Sequence, residues 1–145
     1  MQKNLAPATA FSLPVRVYYE DTDAGGVVYY ANYLKFFERC RTEWARRLGC
    51  DQALLLREHG IVFVVKNVEA EYRQPARLDD LLTVTLAVET LGRAQILLQQ
   101  SVYRGDTPLV VGKVRIVSAA IGADHTLKAA PIPKDLRQQM ESYSL

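Results

Sequence analysis

The 145 residues make one domain's length of chain, and 49% hydrophobic with 23% charged residues exclude a disordered or fibrous protein. Eighteen Lys and Arg against sixteen Asp and Glu leave a net charge of +2, which excludes binding of nucleic acid by bulk charge. Two cysteines, Cys40 and Cys50, are too few for a disulfide framework and point to a reducing, cytoplasmic setting. Met1 to Leu13 reads as a flexible arm and residues 14–145 as a single domain, with Pro14 where order begins. Val15 to Tyr19 alternates with the period of a strand. Glu20 to Gly26 is a cluster of turn residues. Tyr33, Phe36, Phe37, Cys40, Trp44 and Leu48 then recur every three or four residues, the stripe of a helix with Asn32 as N-cap and Gly49 as C-cap. A short helix is expected between Asp51 and Gly60.

Beyond Gly60 the period changes to two. Val64, Lys66, Val68, Ala70 and Tyr72 share one face of a strand that Pro75 ends. Leu82 to Val88 alternates, as does Ile96 to Val102, and Leu109 to Ser118 is a last long strand before a terminal helix over Lys134 to Tyr143. The longest apolar run, Ile61 to Val65, is far shorter than the ~18 residues of a membrane span. The connections between the later strands have no room for crossover helices, so the sheet is expected to be antiparallel. The fold class is therefore α+β, an antiparallel sheet wrapped around one central helix.

The chemistry concentrates between Tyr18 and Tyr33. Three acids in four residues, Glu20, Asp21 and Asp23, stand between a strand and a buried helix. Gly25 and Gly26 then leave the backbone bare for a ligand to approach. A helix start follows, whose free N–H groups favour a developing negative charge. A carboxylate shielded from water beside such donors can act on a carbonyl. Capping of the turn by Asp21 and Asp23 is the plainer alternative. The spacing fails an EF-hand, because Asn32 stands where the bidentate Glu belongs. An Asp-x-Asp phosphotransferase, with Asp79, Asp80 and Lys113 as later elements, would need a parallel sheet. His59 and His125 read as surface residues, and Cys40 as packing on the core stripe of the helix.

The run from Tyr19 to Tyr29 with Asn32-Tyr33, and downstream Phe37-Glu38-Arg39, Phe63-Val64-Val65 and Pro75-Ala76-Arg77-Leu78-Asp79-Asp80, resembles the 4-hydroxybenzoyl-CoA thioesterase family of hotdog proteins. Within it the chain is most similar to the Tol-Pal system-associated acyl-CoA thioesterases. The resemblance covers Pro14 to Pro133 and implies a hotdog fold that pairs its sheets into dimers and tetramers, with active sites at the dimer interface. It implies hydrolysis of short-chain acyl-CoA with no cofactor, coenzyme A being part of the substrate. Asp23 falls on the family's nucleophile or general base, and the backbone N–H near Tyr30 on its oxyanion donor. Many relatives carry His where this chain has Tyr30, so the donor implied here is the main chain. Gly26, Val27, Tyr29, Glu38, Val64 and Val65 are the implied substrate-binding residues, with a solvated face the alternative for Glu38 and plain core for Val64 and Val65, and Arg77 and Arg93 are the candidates for the coenzyme's phosphates. A second reading makes the chain an interaction module for acyl carrier protein or phospholipid-synthesis enzymes.

Overall fold

A computed structural model of the chain describes residues 9–145. Six strands and three helices run in the order β1 (Phe11–Arg16), α1 (Asn32–Arg47), α2 (Gln52–His59), β2 (Ile61–Tyr72), β3 (Leu81–Leu91), β4 (Gln95–Arg104), β5 (Thr107–Ile121), β6 (Leu127–Ala129) and α3 (Lys134–Glu141). The strands form one sheet, ordered β1-β3-β4-β5-β2, with every strand pairing antiparallel. The Asp-x-Asp phosphotransferase thus lacks the parallel sheet it requires. Where β4 ends opposite Val117, β6 takes over the same edge of β5 from Ala119 to Ile121.

The apolar stripe of α1 lies on this sheet. Phe36, Phe37 and Cys40 are fully buried against Leu82, Val84 and Leu86 of β3, Leu98 and Val102 of β4, and Val110 and Val114 of β5. Burying each Phe contributes about 1.5–3 kcal/mol, enough to fix which face of α1 turns inward. Gln100 breaks the apolar series of β4 yet is fully buried. Its Nε2 donates to Phe37 O at 3.0 Å and its Oε1 accepts from Arg41 Nη1 at 3.0 Å, so the amide is satisfied.

Several boundaries differ from expectation. The first strand begins at Phe11, not Val15, so Phe11, Ser12 and Leu13 belong to the sheet, not to an arm. Residues 1–8 lie outside the described part. Pro14 sits inside β1, which is tolerated because β1 is an edge strand whose outward side needs no N–H donor. Helix α1 starts one residue earlier than expected, with Ala31 as N-cap. At its other end Gly49, at φ +77°, donates to Arg46 O while Cys50 N–H reaches Ala45 O, a Schellman closure. Asp51 caps α2 through Leu54 N–H, and Gly60 ends it in the left-handed region. A bulge between Val65 and Asn67 divides β2, so Val64 lies on the opposite face from Val68, Ala70 and Tyr72.

Candidate active site

The turn before α1 is built by two carboxylates with different duties. Asp21 is only 3% exposed. Its Oδ2 accepts from Tyr18 N–H at 2.8 Å, its Oδ1 accepts from Asn32 Nδ2 at 2.9 Å, and its carbonyl accepts from Tyr29 N–H at 2.9 Å. One buried acid thus ties the end of the β1 segment to the first residue of α1. This is why Asn32 does not cap the helix, as the sequence suggested: its amide is turned to Asp21.

Asp23 is exposed at the tip of the turn. Its Oδ1 accepts from Gly25 N–H at 2.8 Å, and Oδ2 accepts no hydrogen bond from the described residues. Gly26 N–H donates to Asp23 O at 3.0 Å, and Asp23 N–H donates to Val27 O at 2.9 Å. Gly26 reaches this geometry at φ +79°, which disfavours any side chain. The capping role foreseen for the acids is real for both. At Asp23 it uses one oxygen and leaves the other free. The shielding from water expected at Asp23 falls instead on Asp21 within one chain.

After the turn, Tyr29 N–H is taken by Asp21, whereas Tyr30 N–H has no main-chain or side-chain acceptor among the described residues. The Tyr30 ring is exposed and meets Tyr29 at 5.0 Å and, edge-on, Tyr72 at 6.0 Å; Tyr72 meets Tyr33 at 5.7 Å. The end of β2 therefore lies against the start of α1.

A second loop, residues 73–80, holds the first in place. Val28 N–H donates to Ala76 O at 2.9 Å, Val27 bridges Arg77, and Ala76 N–H donates to the buried Tyr33 Oη at 3.0 Å. Asp80 Oδ2 accepts from Arg77 N–H and from Arg104 Nη1, both at 2.9 Å. Partial burial pushes the Asp80 carboxyl upward, but these two donors more than offset it and hold the group below its ordinary value. Cys40 behaves in the opposite way: burial pushes its thiol up to about 12, so it stays protonated and packs.

The remaining candidates are not all brought together. Glu38 is exposed, accepts from Thr42 Oγ1 at 2.9 Å, and lines a cavity of about 200 Å³ between α1, α2, α3 and the sheet. Val65 lines it too, whereas Val64, turned to the other face by the bulge, does not. Arg77 stands beside Val27. Arg93 sits in the β3–β4 turn beside Ile132, at the far end of β3 from Leu81 and hence roughly 30 Å away along the strand, so one chain cannot use Arg93 and Arg77 on one ligand. The cavity also exposes residues the sequence did not mark. Arg41, flanked by the buried Cys40 and Trp44, and Ala45 line its wall. The signal was their angle on α1, next to the apolar stripe.

An antiparallel sheet around one long helix, with a carboxylate turn and an open main-chain donor at the start of that helix, defines a hotdog protein of the thioesterase class. The chain belongs to the thioesterase superfamily, whose family model matches residues 25–111. It is 46% identical over 127 residues to the acyl-CoA thioesterase YbgC of Haemophilus influenzae, covering 88% of this chain and 91% of that protein. A probable thioesterase from Bartonella henselae superposes with a TM-score of 0.75 at 35% identity, covering 84% of this chain and 99% of that one. The fold is shared with 4-hydroxybenzoyl CoA thioesterase from Pseudomonas sp. strain CBS-3, at TM-score 0.81 and 21% identity over 89% of this chain and 97% of that one.

Proposed function

We propose that the chain hydrolyses acyl-CoA to a free acid and coenzyme A. The observation that carries this reading is a carboxylate with one free oxygen and a main-chain N–H with no partner, set at the two ends of one rigid turn. Asp23 acts on the thioester carbonyl, either as nucleophile or by taking a proton from water. Tyr30 N–H receives the negative charge that develops on the carbonyl oxygen, a donor of a kind worth about 3–4 kcal/mol. This arrangement needs no side chain at position 30, so tyrosine in place of histidine is compatible with it. Gly26, Val27 and Tyr29 shape the approach to the carbonyl. In this reading Arg77, whose backbone bridges Val27, meets the phosphates of the coenzyme. The names carried by the curated relatives support the same substrate class. Water, the carboxylate and the main chain supply the chemistry, with coenzyme A arriving as part of the substrate in the cytoplasm.

The same reading includes a second copy of the chain. The edge strand β2 is twelve residues long, with Val64, Val65 and Val68 exposed along it. An unpaired apolar edge of that length is a template for another strand.

The test is Asp23→Asn. Because the turn's hydrogen bonds use only one carboxylate oxygen, the variant keeps its thermal midpoint while kcat on butyryl-CoA falls by about 10²–10⁴-fold. Turnover at the parent rate overturns the assignment of Asp23. If the parent binds acyl-CoA but releases no free thiol from any acyl-CoA or acyl-carrier substrate, the chain is an interaction module and not an enzyme.

A further inference from the structure

Ala76 is fully buried in the 73–80 loop, and the two peptide units that flank it have all their polar groups engaged. The Pro75 carbonyl accepts from Arg104 Nη1 at 3.2 Å, and the Ala76 N–H of the same unit donates to Tyr33 Oη at 3.0 Å. The Ala76 carbonyl accepts from Val28 N–H at 2.9 Å, and the Arg77 N–H of that unit donates to Asp80 Oδ2 at 2.9 Å. Two of these bonds go to the segment that bears the open main-chain donor, with Val28 before Tyr30 and Tyr33 after it. Ala76 thus closes a cycle: along the chain from Val28 to Tyr33, through the Tyr33 side chain to Ala76, and back to Val28. Within that cycle Tyr29 N–H is fixed on Asp21 O at 2.9 Å and Asn32 N–H on Tyr29 O at 2.8 Å. Tyr30 N–H is the open donor of a segment held at both ends.

We propose that the Tyr33 hydroxyl is a positioning group: by accepting the Ala76 N–H it closes this cycle and fixes the direction of the Tyr30 N–H. The inference rests on the reading of Tyr30 N–H as the donor to the thioester oxygen and adds the residue that aims it. Tyr33 is 3% exposed, with its ring edge-on to Phe36 at 5.9 Å and against Tyr72 at 5.7 Å, and in this role it acts through Ala76, not on the substrate. Packing alone does not call for the oxygen. Phe36 and Phe37, next on the same stripe, are buried as plain phenyl rings. Burying a hydroxyl is unfavourable unless a partner compensates it. Here the partner is a main-chain N–H that would otherwise be orphaned in the core. Burial pushes the Tyr33 phenol above its ordinary value, so the oxygen stays a neutral acceptor at neutral pH. Aim matters because a hydrogen bond weakens steeply as its angle closes, and a misplacement of about 1 Å costs on the order of 10²-fold in rate.

The experiment reads geometry and turnover separately. Tyr33→Phe removes one oxygen and keeps the ring. In amide NMR the Ala76 N–H is expected to exchange with water at least about tenfold faster, and the Tyr30 amide signal to shift. On butyryl-CoA kcat is expected to fall by about 10- to 100-fold with KM within about twofold of the parent, because a donor aimed at the transition state is partly lost and ground-state binding is not. Ile61→Val is the stability control: it trims a buried residue at the other end of β2, roughly 36 Å from Tyr72 along the strand, and keeps the parent's kcat and Tyr30 signal. Arg104→Gln frees the Pro75 carbonyl without altering the core, and moves the same readouts in the same direction by a smaller amount. A Tyr30 signal that stays in place in Tyr33→Phe, a kcat at the parent level, or a loss that Ile61→Val reproduces, overturns the positioning role and leaves the thioesterase reading intact. If the Tyr30 signal shifts as expected while the parent hydrolyses no acyl-CoA, the cycle through Tyr33 stands and the donor role of Tyr30 falls.

Discussion

Two aspartates two residues apart carry opposite burdens. Asp21 is a fastener, with one carboxylate oxygen engaged by the buried Asn32 amide and the other by the part-buried Tyr18 N–H. Truncation by Asp21→Ala strands the buried Asn32 amide, and leaving a buried donor unpaired costs about 1–3 kcal/mol. The expected result is a thermal midpoint lowered by several degrees, with activity falling in parallel because the turn that bears Asp23 loses its anchor. Asp23→Asn is expected to show the reverse pattern, with stability kept and turnover lost. Measuring midpoint and kcat on both variants checks the division of labour, and a stable Asp21→Ala protein removes it. The sequence places both acids in one cluster. It does not say which is buried, because that depends on Asn32, which reads equally well as a helix cap.

At the scale of elements, what could be read directly was whatever a single periodicity dictates. The stripe of α1, the alternation of β3 and β4, and the Asp51 and Gly60 signals around α2 each follow from local residues that agree with their tertiary setting. What could not be read was set by partners distant in sequence. Pro14 looked like a boundary, but an edge position in the sheet makes it harmless. The bulge in β2 cannot be seen in a run of valines, yet it moves Val64 away from the cavity and leaves Val65 on its wall. Gly112 likewise carries no local mark. A Cβ there would stand 2.8 Å from Glu69 O and 3.0 Å from the Phe37 ring, so its smallness is what lets β2, β5 and α1 close together. Gly112→Ala is expected to lower stability by about 1–3 kcal/mol, the range for overpacking a filled core, read from the denaturant midpoint. An unchanged midpoint would mean that the strands can part there at no cost.

For the whole molecule, the site proposed at Asp23 and Tyr30 is not enclosed by one chain. Asp23 is exposed, and Leu34 and Val68 stand half-open toward the side where β2 presents its unpaired edge. Charge separation in a thioester transition state gains most from fixed dipoles where water is excluded. A second copy laid along β2 would extend the sheet and bring a wall up to that side. Assembly and catalysis are then coupled through the same strand. Val64 offers a clean test, because it lies on the exposed edge but faces away from the cavity. In Val64→Glu a charge is set on the edge strand of each copy, and a charged edge strand resists pairing with another. Light scattering should give the parent a mass of two chains or a multiple of two. The variant should shift toward the single-chain mass as it is diluted, and turnover per chain should fall along the same dilution curve. A single-chain variant that keeps the parent's kcat would show that the site is complete in one chain and that β2 is not its missing wall.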